Sequence, residues 1–193
     1  MNLRDDLQLI YDWIPEGSRV LDLGCGDGEL LSALVTHKKC SGYGIEINTD
    51  SVIAAMARGV NVIQADLERG LEEFCDHSFD VIVLSQTIQS MQNTEMILRG
   101  LMRVADQAIV SFPNFGYWRN RLQLTLGGHM PVSERMPYHW YNTPNIHWCT
   151  LKDFDLLCAK NKIRIRERAV MAGNKRIDRF QNLLGSLAFY RVG

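Results

Sequence analysis

The stretch VLDLGCGDGELL, Val20 to Leu31, constrains this chain more than any other. An apolar run meets glycines at positions 24, 26 and 28, and a helix-like apolar pattern follows. A strand that turns through glycine into a helix lets the backbone approach a ligand without Cβ interference. The helix start behind such a loop presents free N–H groups. A dinucleotide fingerprint of the form G-x-G-x-x-G needs its third glycine at position 29. Position 29 is Glu29 instead, and a carboxylate there crowds a pyrophosphate. The loop therefore suits a ligand without phosphate, and a dinucleotide-dependent oxidoreductase is disfavoured. A tight turn with no ligand is the plain alternative.

The rest of the chain places the loop in a parallel sheet. Leu7, Ile10, Tyr11 and Ile14 share a helical face, closed by Pro15-Glu16-Gly17. SRVLDL, GYGIEI, VNVIQA, FDVIVLS and QAIVSF read as five strands. GELLSALVTH, Asn48–Arg58 and Met96–Val104 read as helices between them. That alternation predicts an α/β fold with right-handed crossovers. After Pro113 the rhythm stops, and Asn114–Cys149 is long, aromatic-rich and without clear periodicity, as binding loops and lids are. Thr150 is the expected N-cap of a helix over about 151–159, and KIRIRERAV and SLAFYRV close the chain as strands. The 193 residues are expected to form one domain, 1–193, carrying a long insertion at about 114–149.

Composition excludes several function classes. A formal net charge of -1 gives no bulk positive field, and the basic run KNKIRIRER alternates with isoleucine like the wet face of a strand, so no nucleic-acid partner is expected. Five cysteines without a CxxC pair point to free thiols in a reducing compartment, hence a cytoplasmic protein. The acidic start MNLRDDLQLI does not read as a signal peptide, and no apolar run approaches a membrane span. His129, His139 and His147 match no compact metal motif, so no metal is expected.

The spacing Asp-x-Gly-x-Gly-x-Gly from Asp22 to Gly28 resembles motif I of class I S-adenosylmethionine-dependent methyltransferases. That ligand carries a cationic sulfonium and no phosphate, so nearby acids suit it. Glu46, ending the second strand, is placed to accept ribose hydroxyls, and Asp66, ending the third, resembles the acid that meets an adenine amino group. Plain alternatives are a surface or capping acid for Glu46, and an N-cap over residues 67–69 for Asp66. Cys25 reads as a small buried residue within the loop. The candidate cofactor-binding set is Asp22, Gly24, Cys25, Gly26, Gly28, Glu46, Ile47, Asp66, Leu67 and Ser85.

Catalysis leaves a fainter trace, because an activated methyl donor asks the protein mainly to align a nucleophile. SQTIQSM after the fourth strand lacks the proline-rich motif of nucleobase and amide methylases. Gln86, Asn114, Tyr117, Trp118, Tyr138 and Tyr141 are the acceptor-side candidates; aromatic packing over a sheet edge is the alternative for this segment. Catalytic residues are left unassigned.

WIPEGSRVLDLGCGDGELL, YGIEI, DVIVLSQTIQ, SFPNFGYWRNR and YNTPNIHWCTLKDF, in that order, resemble the methionine-biosynthesis MetW family over nearly the whole chain. The resemblance implies a Rossmann-like class I methyltransferase fold, with a seven-stranded, mostly parallel sheet, helices on both faces, and an antiparallel last strand. It implies S-adenosylmethionine or S-adenosylhomocysteine as ligand and homoserine O-acyltransferase as partner. Two functions follow as expectations: an accessory or regulatory partner of the acyltransferase, or a methyltransferase acting on a small molecule or protein.

Overall fold

The computed structural model describes residues 3–67 and 71–193. Two compact units are formed, one of Met1–Ser85, Glu95–Ile109 and Gly193, the other of Gln86–Thr94 and Val110–Val192.

In the first unit, helices α1 (Asp5–Trp13), α2 (Glu29–Lys38), α3 (Thr49–Ala57) and most of α4 (Thr94–Val104) accompany strands β1 (Arg19–Leu23), β2 (Ser41–Glu46), β3 (Val62–Gln64) and β4 (Phe79–Ser85). The first residues of β5 (Ala105–Pro113) complete its strand order, β3-β2-β1-β4-β5. β1 pairs in parallel with β2, Val20 opposite Gly42, and with β4, Asp22 opposite Val83. Such burial on both sides explains why β1 and β4 read as nearly continuous apolar runs. Leu7, Ile10 and Ile14 bury as the helical pattern requires. The Lys38 ammonium donates to the Tyr11 and Ile14 carbonyls at 2.6 Å each, satisfying the end of α1. α4 buries Ile97, Leu98, Leu101 and Val104, its i, i+4 stripe.

In the second unit, the end of β5 is followed in strand order by β8 (Leu187–Val192), β6 (Ile165–Ala172) and β7 (Lys175–Arg176). β8 runs antiparallel to β6, as expected of the last strand. Among the described residues the sheet holds eight strands where seven were expected; the extra one is the two-residue β7, folded back on β6 across Gly173. α6 (Leu151–Lys160) begins with the expected Thr150, whose hydroxyl accepts from the Asp153 N–H while Asp153 accepts from the Thr150 N–H. Phe112, Phe154 and Tyr190 pack with ring centroids 4.6–5.7 Å apart as the core. The segment read as aperiodic contains a regular helix, α5 (Trp118–Gly127). A four-residue helix, α7 (Gln181–Leu184), precedes β8.

Candidate functional site

The order β3-β2-β1-β4 puts the switch in winding direction at β1, and ligands of open parallel sheets bind beyond the carboxyl ends of strands at that point. β1 ends at Leu23, so the glycine loop occupies this position. Gly24, Gly26 and Gly28 have φ of +75°, +54° and +75°, a region costly for residues with a Cβ. The Gly24 and Cys25 N–H groups donate to the Ile45 carbonyl at 2.8 and 3.1 Å, fastening the loop to β2. A Cβ on Gly28 would lie 3.0 Å from Ala55 and Val60, so the third glycine serves helix packing. A Cβ on Gly26 would meet nothing within 4 Å, which leaves that part of the loop open to a ligand.

Glu46 closes the loop. One carboxylate oxygen accepts the Gly26 N–H at 3.0 Å, and the other accepts the Ile47 and Asn48 N–H groups at 2.9 Å each. Three of about four lone-pair positions are thus filled, and the carboxylate is fixed as a negative centre with room for a further donor. The capping alternative falls to its neighbour, since the Asn48 side chain accepts the Ser51 N–H at the start of α3.

Asp22, on β1 beneath the loop, is 3% exposed. Burial, with the nearby Glu46 charge, pushes its carboxyl up from the ordinary 3.8 to about 7. The folded chain therefore keeps this proton where the unfolded chain has lost it, and the resulting stability is shed as pH rises from about 4 to about 7. Relative to Asp22→Asn, which cannot ionise, the wild type is expected to lose about 2 kcal/mol between pH 5 and pH 7.5, measured by urea unfolding. Parallel pH profiles for the two proteins would contradict a buried, titrating Asp22.

Cys25 is buried, as expected, and its thiol is pushed up to about 12 by desolvation and neighbouring acids. Its sulfur explains a glycine on the next strand: a Cβ at Gly44 would lie 2.4 Å from it. Asp27 pairs with Arg58 at 2.7 Å. Asp66 is exposed just beyond β3 and Leu67 is buried beside it. The suggested N-cap role of Asp66 involves residues 68–69, which lie outside the described residues. Ser85 ends β4, two positions past Val83, which pairs with Asp22. All ten cofactor-side candidates thus belong to the first unit, and direct hydrogen bonds connect Gly26, Glu46 and Ile47.

The acceptor-side candidates belong to the second unit, where a ring contact joins Tyr117 and Trp118. Gln86 takes a left-handed backbone, φ +53°, and its N–H donates to the Ser111 carbonyl at 2.9 Å. Asn114 is fully buried: its amide donates to the Asn182 and Gly185 carbonyls and accepts the Gly116 N–H, a structural node of backbone bonds. Tyr117 precedes α5 and meets Trp118 edge to face at 6.0 Å. Tyr138 is exposed, and Tyr141 stacks on His139 at 5.4 Å. Residues the sequence reading passed over are Asn48 and Gln89. Gln89 is buried, accepts the Ile146 and His147 N–H groups with its carbonyl, and leaves its side-chain oxygen without a partner. Among the described residues, no group of three or more His, Cys, Asp and Glu is placed to hold a metal, and no helix is long and apolar enough to cross a membrane.

Comparison with known proteins agrees with this geometry. A SAM-dependent methyltransferase of Thermotoga maritima, a possible histamine N-methyltransferase, superposes with a TM-score of 0.70 at 19% identity, covering 97% of this chain and 86% of that one. Magnesium protoporphyrin IX methyltransferase of Synechocystis, solved with bound SAH, gives 0.63 at 16% identity, covering 97% and 78%. The fold is that of the class I SAM-dependent methyltransferases. The profile of the family "Methionine biosynthesis protein MetW" matches residues 4–192. The chain is 36% identical over 173 residues to the bifunctional methionine biosynthesis protein MetXA/MetW of Rhodopirellula baltica, covering 84% of this chain and 28% of that protein. An uncharacterized methyltransferase of Schizosaccharomyces pombe is 31% identical over 97 residues, 47% of this chain and 37% of that protein. This chain therefore belongs to the MetW family of methionine biosynthesis proteins, and it spans less than two fifths of the length of either of these two relatives.

Proposed function

We propose that this protein binds S-adenosylmethionine, or S-adenosylhomocysteine, at the glycine loop and acts with homoserine O-acyltransferase in methionine biosynthesis. The observation that carries the ligand is the Glu46 carboxylate fixed by the loop N–H groups beside the buried Asp22. A phosphate-averse loop of this kind favours a phosphate-free nucleoside with a free diol over a dinucleotide. Asp22, Gly24, Gly26 and Gly28 line the amino-acid end of the ligand, Glu46 takes a ribose hydroxyl, and Asp66 with Leu67 and Ser85 borders the adenine.

The partner is supported by the fused relative, in which a MetXA part and a MetW part share one chain. Exposed apolar side chains of the second unit are the candidates for contact with it, Leu122 and Leu126 sharing one face of α5. α5 buries Asn120 alone and leaves Leu122, Leu124 and Leu126 exposed, Leu126 at 81%. Trp140, 74% exposed, and Tyr141 add aromatic anchors of the kind that dominate interfaces. Leu126→Asp combined with Trp140→Ala is expected to weaken binding to the purified acyltransferase at least about 30-fold, read by calorimetry, with an unchanged circular dichroism spectrum. Undiminished affinity would remove this surface from the interface; no binding by the wild type would remove the partner.

A second reading, methylation of a small molecule or protein, is favoured by Gln86. A non-glycine residue held left-handed directly after β4 is the sort of strain that collects at reacting sites. Transfer of label from methyl-labelled S-adenosylmethionine to an acceptor in a cell extract, lost in Gln86→Gly, would establish it.

A further inference from the structure

A cavity of about 570 Å³ opens in the second unit, in a size range typical of small-molecule sites. It is lined by the start of α6, by Arg168 of β6, by Arg121, by Asp178 and by residues 180–183. Its charges are organised. Asp155 spends one oxygen on the Tyr190 hydroxyl and the other on Arg168, both at 2.9 Å, so it holds the Arg168 guanidinium in place. Arg121 is anchored by its Nε donating to the Gly116 carbonyl at 2.6 Å, which leaves its terminal N–H groups for the cavity. Lys152 adds an exposed ammonium.

Against these cations stands one acid besides Asp155, paired with an arginine through one of its two oxygens. Asp178 contacts Arg176 at 3.4 Å, and its side chain is 78% exposed. The apolar wall is Phe180 with Leu183. Phe180 is 76% exposed and held at φ +50°, a left-handed backbone that bulky side chains rarely adopt. An exposed aromatic kept in a strained conformation at a cavity rim suits a ligand clamp.

The geometry points to a binding site for a free α-amino acid with an apolar side chain. Its carboxylate faces Arg121, Arg168 and Lys152, its ammonium faces Asp178, and its side chain lies on Phe180 and Leu183. An inorganic anion would leave Asp178 opposed to it, whereas a zwitterion satisfies both signs. L-Methionine is the apt probe, because a thioether packs well against an aromatic ring and the family serves methionine biosynthesis. The site is independent of the glycine loop and of the function proposed for it.

The test is a calorimetric titration of the full chain with L-methionine in saturating S-adenosylhomocysteine, so that the glycine loop cannot supply the signal. Binding at millimolar concentration or tighter is expected, with 3-(methylthio)propionate, which lacks the ammonium, at least about tenfold weaker. Asp178→Asn should cost about tenfold for L-methionine and nothing for the propionate. Phe180→Gly should abolish binding while the melting temperature holds or rises, because glycine tolerates the left-handed backbone. Three results would overturn the site: no heat with L-methionine, equal binding of inorganic phosphate or the propionate, or full affinity in both variants. Binding of S-adenosylhomocysteine without binding of L-methionine would count against this site and leave the glycine loop untouched.

Discussion

Replacing Glu46 with alanine is expected to weaken S-adenosylhomocysteine binding about 10- to 150-fold, the equivalent of roughly 1.5–3 kcal/mol for charge-assisted hydrogen bonds. The structure adds a sharper expectation. Glu46 accepts N–H groups with both oxygens, from Gly26 on one side and from Ile47 and Asn48 on the other. A glutamine must therefore aim its NH₂ group at one of these donors, whichever way the amide is turned. Glu46→Gln should lose nearly as much affinity as Glu46→Ala, although it keeps size and polarity. Calorimetry on the two variants checks this. A glutamine variant that binds like the wild type would mean that the carboxylate does not organise the loop.

The second large effect lies at the far end of the strand that carries Glu46. Gly42 sits opposite Val20 in the β1–β2 ladder with φ +153°, and a Cβ there would stand 1.7 Å from the Val20 carbonyl oxygen and 2.7 Å from its carbon. Both atoms are backbone, so no rotamer change relieves the clash. Gly42→Ala should therefore cost more than about 4 kcal/mol or leave no folded protein. Any surviving fold should also bind ligand poorly, because β2 carries Glu46. Urea unfolding measures the loss. An alanine variant within about 1 kcal/mol of wild type would contradict the close strand approach.

Much of the first unit was legible because its signals are local. FDVIVLS is a strand over its whole length, Phe79–Ser85, since burial on both faces demands an unbroken apolar run. Thr150 was legible as an N-cap residue type ahead of a helical stretch, and the structure adds its reciprocal bonding with Asp153. The strand–glycine–helix order of residues 19–38 placed the loop correctly. What remained hidden depended on distant contacts. Glu46 was visible as an acid at a strand end, but its bond to the Gly26 N–H spans 20 positions. The Asp22 shift comes from burial, which no local pattern encodes. α5 was concealed because Leu122, Leu124 and Leu126 recur every second residue, a strand's period, on a helix that buries little. Asn114, an acceptor-side candidate, gave no local sign of its backbone bonds. Its amide is committed to backbone partners 68 and 71 positions away.

One rate measurement tests the ligand loop and the acyltransferase partnership together. Purified homoserine O-acyltransferase is assayed alone, with the wild-type protein and with Glu46→Ala, each with and without S-adenosylmethionine or S-adenosylhomocysteine. The wild type is expected to change the rate, either ligand to alter that change, and Glu46→Ala to lose the response to ligand while keeping its effect on the enzyme. A rate unaltered by this protein under every condition would contradict the accessory role and turn attention to a methyl acceptor.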